Sequence, residues 1–364
     1  MRRALFCNSS PTPSVHVRLS PETSRWLHAT LQPLKRRLLE VRAARHAGSR
    51  VRRIPISQLP TAATESVIHL TKNSCGRLEI AASLDWLRSR NGFSTTWRRV
   101  GVFVNLLADP QVPSGCWQAD LGDWVRPTGP VAGFCSPHRG SRLVPDRGFI
   151  RSSGYAAARQ IASRAPRWSE RRPTFVWRGG PNGHGLYASD TMDWRDQQLR
   201  QRVRLCLLGK SLADASRFAD APIDLRLVSV PQHDPQAATR LRASGIIGNP
   251  IPARSWLQRQ FAIDIDGYAN AFSNFFLRLL YGCCVLKVAS PRGFRQWYYD
   301  RLVPWVHYVP VAADLSDFAE RLDWCRRHPR QCREIAGVGQ RAAFAMTYDR
   351  ERQQAIEQLV QPIS

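Results

Sequence analysis

Residues 261–288 constrain the fold more tightly than any other stretch of this 364-residue chain. Phe261-Ala262-Ile263-Asp264-Ile265-Asp266 reads as a strand running into Gly267, and Tyr268-Ala269-Asn270-Ala271-Phe272-Ser273 is a turn of small and polar residues. An apolar helix follows and stops at Gly282, where a glycine C-cap is expected, and Cys284-Val285-Leu286-Lys287-Val288 is a second strand. A strand-turn-helix-strand unit leaves backbone N–H groups unpaired at the helix start, where a diphosphate can bind. Asn270, Ser273 and Asn274 add side-chain donors, and Lys287 is expected to place a point charge on the same rim of the sheet. The competing reading is a plain structural βαβ unit.

The surrounding sequence alternates in the same way. Thr174-Phe175-Val176-Trp177 reads as a strand, Trp194 to Leu207 as a helix and Leu225 to Val230 as a strand. Asp314 to His328 and Gln331 to Met346 read as two further helices, followed by a polar tail. Strands spaced by helices imply a mostly parallel sheet. Between Val51 and Arg172, Ser66 to Leu70 and Val100 to Leu107 read as strands of a first α/β unit. A chain of this length exceeds what one core normally serves. The expected organisation is a basic segment over 1–55, an N-terminal unit over 56–172, a C-terminal unit over 173–330, and a helix and tail over 331–364.

The basic segment opens with a helix start at Ser20-Pro21-Glu22-Thr23, and Trp26, Leu27, Leu31, Leu34, Leu38, Leu39 and Val41 recur at helical spacing. Arg25, Lys35, Arg36, Arg37, Arg42 and Arg45 fill the other face, so residues 21–53 suit an anionic membrane surface; an ordinary surface helix packed on the domain is the alternative. The whole chain carries a net charge of +25, which attracts polyanions, nucleotides and anionic lipid alike. A basic nucleic-acid-binding protein is therefore a second functional class, although no nucleic-acid-binding motif supports it. Nine cysteines without regular spacing, and an apolar run of only three residues near Met1, favour a reducing, cytoplasmic setting without export, with attachment at the inner face of a membrane as an option.

Several words of the sequence then line up. Ile263-Asp264-Ile265-Asp266-Gly267, Val285-Leu286-Lys287, Trp297-Tyr298, Leu302 to Val311 and Asp314-Leu315-Ser316-Asp317 resemble, in order and spacing, glycosyltransferase family 90. That family comprises capsule-associated, lipopolysaccharide-modifying and protein O-glucosyltransferases, and the resemblance is to its bacterial-type members. Phe175-Val176-Trp177-Arg178-Gly179-Gly180 is similar to the family's donor motif, and Val144-Pro145-Asp146 to the element before it. The resemblance implies two Rossmann-like domains facing a cleft, of the GT-B type. It also implies an inverting transfer of a glucose- or xylose-type sugar from a UDP-sugar, with no obligatory metal, to a glycan or lipid-linked saccharide acceptor. Carried over, Arg178, Gly179 and Gly180 line the donor diphosphate, Gly267, Tyr268, Ala269, Asn270, Ala271, Phe272 and Ser273 the nucleotide or sugar, and Asp109 is the catalytic base at the end of a strand. An inverting transfer needs such a carboxylate to take the proton from the acceptor hydroxyl, and cations or N–H dipoles to stabilise the leaving diphosphate.

Two departures stand out. Many members carry an arginine near the position of Ser273, and the loop after Gly180 often holds a basic residue; both are missing here. A catalytically inactive scaffold with the transferase fold is accordingly a third reading. Asp264 and Asp266 emerge on one face of a strand, as a metal-binding pair would, but their place before a glycine turn favours a structural role. Cys325, His328 and Cys332 have zinc-like chemistry without a fourth ligand nearby, so free core cysteines are the simpler expectation.

Overall fold

The computed structural model describes residues 53–59, 66–83, 93–122, 131–213 and 218–361, together with seven residues between Leu34 and Arg45. Most of the basic segment 21–53 lies outside the described residues. Of its described part, Glu40 and Ala44 are buried. Glu40 accepts the Ile56 N–H at 3.2 Å and pairs with Arg53 at 2.8 Å, so this stretch packs on the body of the protein.

The chain is an α/β protein with mostly parallel strands. Its first sheet contains β1 (Ile56–Gln58), β2 (Val67–Lys72), β3 (Leu78–Ala82), β4 (Gly115–Asp120), β5 (Ala132–Gly133) and β7 (Arg142–Leu143), in the order β1-β3-β2-β4-β5-β7. Only β2 opposes the rest, being antiparallel to both β3 and β4. Among the described residues, α1 (Phe93–Leu107) lies between β3 and β4. Residues 100–107, expected as a strand, form its last two turns. Val100, Val102, Phe103, Val104, Leu106 and Leu107 are all buried, and a run apolar on every side has no period to separate helix from strand.

Past β7 the chain makes two short helices, α2 (Arg147–Arg151) and α3 (Ala156–Ala162), and enters an alternating βα region. This contains β8 (Phe175–Gly179), α4 (Gln201–Ala213), β9 (Ile223–Leu227), α5 (Pro235–Ala243), β10 (Phe261–Asp264), α6 (Ser273–Leu280), β11 (Cys284–Val288) and β13 (Val309–Val311). β8 pairs with β9, and β10 with β11 and β11 with β13, all in parallel. A parallel bridge between Arg172 and Arg259 aligns the chain entering β8 with that entering β10. All these strands thus present their carboxyl ends on one edge, which is where open α/β sheets bind ligands.

Helix α4 begins seven residues later than expected. Asp193 and Asp196 accept the Arg195 and Gln198 N–H groups, each at 2.9 Å, and such local turns compete with helix. β9 ends at Leu227 rather than continuing to Val230, because Leu227 turns to the chain at Ile246 and Gly248. α7 (Phe318–Arg327) and α8 (Pro329–Ala345) match the expected pair of helices closely, and α8 buries Cys332, Ile335 and Ala336 against the second group of strands.

The supposed polar tail is a helix, α9 (Tyr348–Val360). It returns to the first sheet, where Ala355, Ile356 and Leu359 join its core and the Trp117 Nε1–H donates to the Leu359 carbonyl at 2.7 Å. The chain therefore passes between the two groups of strands twice. A further tie is a two-residue antiparallel pair between β6 (Cys135–Ser136) and β12 (Arg295–Gln296). Arg159 of α3 fastens the two passages together, donating to the carbonyls of Gly154, Ala343, Phe344 and Met346.

Close packing between α6 and α8 depends on Gly339, where an added Cβ would lie 2.6 Å from the His307 carbonyl oxygen and 2.9 Å from Leu279 Cδ2. Gly339→Ala is expected to cost about 1–3 kcal/mol through overpacking, measured by denaturant unfolding. Gly337→Ala, two residues away, would meet only Arg341 Nη1 at 3.5 Å and should be neutral or stabilising by up to about 1 kcal/mol. Equal effects at the two positions would contradict this packing.

Candidate functional site

At the carboxyl end of β10 the backbone must turn sharply over a neighbour. An added Cβ at Gly267 would lie 3.2 Å from Arg202 Nη2 and 3.4 Å from Asn182 Cβ, so a larger residue would displace the contact. The Gly267 N–H closes the turn on the Ala269 carbonyl at 2.8 Å. Arg202, in the first turn of α4, is the hub beneath it. Its guanidinium donates to the carbonyls of Asp266 at 2.9 Å, Ile265 at 3.1 Å and Gly180 at 3.2 Å, joining the loops that follow β8 and β10. Arg200 does the same one step outward, donating to the Gly185 and Pro181 carbonyls at 2.9 and 3.0 Å and reaching the Tyr268 hydroxyl at 3.4 Å. Sequence reasoning missed both arginines. The only hint is the density of Arg200, Arg202 and Arg204 at a helix start, which does not distinguish buried hubs from solvated charges.

Below the turn lies a buried ionic cluster. Lys287 Nζ sits 2.8 Å from Asp264 Oδ2 and 2.9 Å from Asp266 Oδ1, and all three side chains are at most 6% exposed. Burial alone would lower the lysine pKa, but the two carboxylates outweigh it and hold it above the ordinary value. Asn270 donates to both oxygens of Asp266, at 3.2 and 3.1 Å, and to the Phe294 carbonyl. Asp264 and Asp266 do converge, as their spacing implied, and the cation between them is the Lys287 ammonium. Lys287 consequently does not stand on the rim, because its ammonium is committed beneath the loop.

Phe272 ends the turn at φ +29°, a region few non-glycine residues occupy. Its neighbours explain why it stays there. The Gln296 side chain donates to its carbonyl at 3.1 Å, its ring meets Phe134 edge-on at 6.5 Å, and the Arg99 guanidinium lies 5.3 Å from the ring centroid. Ser273 then begins α6, which has no side-chain N-cap. Phe272 and Ser273 form one wall of a pocket of about 260 Å³. Arg99, Phe134, Asp146, Arg147 and Gly148 form the other, and all but Arg99 lie just past the carboxyl ends of β5 and β7. Asp146 is buried and accepts the Gly148 and Phe149 N–H groups and the Tyr155 hydroxyl. Burial pushes its carboxyl pKa up.

The remaining expected residues lie elsewhere. Arg178 turns towards β9, donating to the Asp224 side chain at 2.6 Å and carbonyl at 2.8 Å and to the Asn249 carbonyl at 3.0 Å. Gly179 lies under the Trp177 ring, which an added Cβ would approach to 2.5 Å. Asp109 follows a helix and not a strand. It precedes β4, on the amino edge of the first sheet opposite the pocket, and its Oδ2 pairs with Arg352 of α9 at 2.8 Å. Burial would raise its pKa, but the Gln111 N–H and Arg352 prevail and lower it. Among the described residues one group offers three clustered metal-type ligands. Cys284, Cys325 and Cys332 bring their sulfurs within 4.8 Å of one another in the core, at the amino end of β11 and away from the turn.

The ionic cluster gives a direct test. Lys287→Met leaves two carboxylates buried without their cation and should cost about 3–5 kcal/mol in denaturant unfolding. Lys287→Arg, which keeps a cation between the carboxylates, should lose less than Lys287→Met; equal losses would mean that the missing charge is not the cause.

The family model for glycosyl transferase family 90 matches residues 155–348, from α3 to the start of α9. Uncharacterized protein 035R of Invertebrate iridescent virus 3 is 32% identical over 169 residues, which are 46% of this chain and 14% of that protein. Protein O-glucosyltransferase 2 of Danio rerio is 35% identical over 89 residues, 24% of this chain and 17% of that one. The chain thus spans well under a quarter of the length of these relatives. Among solved structures, Anabaena Alr3699/HepE in complex with UDP and glucose aligns with a TM-score of 0.34 at 14% identity, covering 56% of this chain and 51% of that one. With more than half of its residues matched by the family model, the chain belongs to glycosyl transferase family 90.

Proposed function

We propose that the chain transfers a sugar from a UDP-sugar to a hydroxyl of a saccharide acceptor, with inversion and without an obligatory metal. The observation that carries this reading is the coincidence of the family match with the region holding the Gly267 turn and its Arg202 hub. In this reading the two groups of strands are the Rossmann-like domains of a GT-B transferase, and the donor occupies the pocket side of the turn. Glucose or xylose is the expected sugar, glucose being the sugar that the name of the protein O-glucosyltransferase relatives carries. The acceptor class is a glycan of the lipopolysaccharide or capsule type.

In the transfer, a carboxylate takes the proton of the acceptor hydroxyl as its oxygen attacks the anomeric carbon. The bond from that carbon to the diphosphate breaks, and UDP leaves with the electron pair. In this reading the base stands at the carboxyl edge of the first sheet, on the side where the pocket opens. Asp109 is at the opposite edge, ion-paired and of lowered pKa. Asp123 is three residues past the carboxyl end of β4, and we assign the base to it on that chain position; the residue itself lies outside the described ones.

The test is UDP release from UDP-glucose, UDP-xylose, UDP-galactose and UDP-N-acetylglucosamine, with and without EDTA. Release should persist in EDTA and fall by about 10²–10⁴-fold in Asp123→Asn. Asp109→Asn should keep most activity and lose no more than about 1 kcal/mol of stability. The reverse pattern would return the base to Asp109. Donor binding without turnover would mark an inactive scaffold, and no binding of any donor would overturn the reading.

A further inference from the structure

Three thiols from three separate elements meet in the core around the second group of strands. Cys284 opens β11, Cys325 lies in the last turn of α7 and Cys332 in the first turn of α8. Each is wholly buried, and their sulfurs all lie within 4.8 Å of one another. The Cys332 S–H donates to the Cys325 carbonyl at 3.5 Å, so a sulfur already joins the end of one helix to the start of the next. A free cysteine behaves as a small apolar side chain, and a single buried one needs no explanation. Cys206 and Cys283 are of that kind, being buried outside the cluster. Three sulfurs converging on one point differ, because packing fixes the volume to be filled there and not the element that fills it.

The separations suit a shared ion. Three sulfurs each bound to one ion at about 2.3 Å stand about 4 Å apart. A triangle no wider than 4.8 Å needs little side-chain adjustment to close on such an ion. The donor set narrows which ion fits. Thiolate is a soft ligand that favours copper(I), zinc and iron–sulfur centres over magnesium, calcium and manganese. Iron–sulfur clusters take four protein ligands and structural zinc takes four, whereas no fourth histidine, cysteine or carboxylate joins this group among the described residues. His328, the neighbour that the sequence spacing offers, has its ring stacked on Trp324 at 16° and its Nδ1 2.8 Å from the Trp324 carbonyl.

We propose that Cys284, Cys325 and Cys332 form a three-sulfur site for a thiophilic cation, with copper(I) the ion that three sulfurs alone suit best. On binding, each thiol gives its proton to a base in solution and its sulfur forms one bond to the ion; copper enters already as copper(I), so nothing is oxidised or reduced. Because the sulfurs are enclosed, the ion is taken up as the chain folds. Once bound, it ties the α7–α8 corner to the amino end of β11, the strand whose other end carries Lys287. The site is independent of the transferase reading.

The test is metal content per chain, measured by mass spectrometry on full-length protein purified anaerobically from cells grown with added copper or with added zinc. Wild type, Cys284→Ala, Cys332→Ala and Cys283→Ala are compared. Cys283 serves as the control, since it is buried next to Cys284 in sequence while its Sγ lies 3.5 Å from the Trp256 carbonyl. Wild type and Cys283→Ala should each retain about one copper ion, and Cys284→Ala and Cys332→Ala less than about a tenth of that. Retained copper should also raise the thermal midpoint of the wild type by several degrees and leave those of the two cluster variants unmoved. Zinc retained in place of copper, with the same loss in the cluster variants, supports the three-sulfur site and identifies its ion as zinc. Wild type that retains neither ion overturns the site, and this outcome holds even if a variant fails to fold. Cluster variants that retain as much metal as the wild type overturn it too, and the three cysteines are then packing residues.

Discussion

Two buried carboxylates and one buried ammonium hold the Gly267 turn in place, and most of what is distinctive about the structure follows from them. Asp264 and Asp266 could not remain charged in a core without a cation, and Lys287 on the adjacent strand supplies it. The parallel register sets Lys287 directly opposite Asp264, so the ion pair and the strand pairing enforce each other. Asp266 is shared with Asn270, which extends the restraint four residues into the turn. Arg202 adds a second cation within electrostatic range of both carboxylates while its N–H groups are spent on carbonyls. Charge is balanced within the cluster, and the turn's backbone oxygens are drawn inward. What the loop shows to the pocket is the pair Phe272 and Ser273.

A different set of contacts fixes the turn against the first sheet. Phe272 reaches Phe134 and Arg99, and its carbonyl is held by Gln296 of β12, which pairs with β6. Strain at Phe272 persists because three neighbours define its position. Such strain collects where a backbone is being aimed and not merely connected.

Much of this was open to reading in the sequence where the signals are local. The turn and helix over 261–288 are punctuated by Gly267 at one end and Gly282 at the other, and the structure places strand, turn, helix and strand in that order. The same residues could not show that Lys287 faces Asp264, since that depends on which strands are neighbours. Arg200 and Arg202 resemble any surface arginine until their carbonyl partners are known. Residues 100–107 mislead most. An apolar run of this kind reads as a strand that would leave Asp109 at a carboxyl edge, and the helix that forms instead sets it at the opposite edge of the sheet. The type of one element thus decides on which side of a sheet a carboxylate stands. The C-terminal helix escaped notice because its apolar residues, Ala355, Ile356 and Leu359, are few and are completed only by the first sheet's core.

Arg159 grips both passages of the chain between the two groups of strands, its guanidinium spread over four carbonyl oxygens. The chain between α3 and β8 and the chain between α8 and α9 are therefore bound to each other and not only to the strands they connect. At Gly154, whose φ is +71°, an added Cβ would lie 3.0 Å from Tyr348 N, so a side chain there would push the two passages apart.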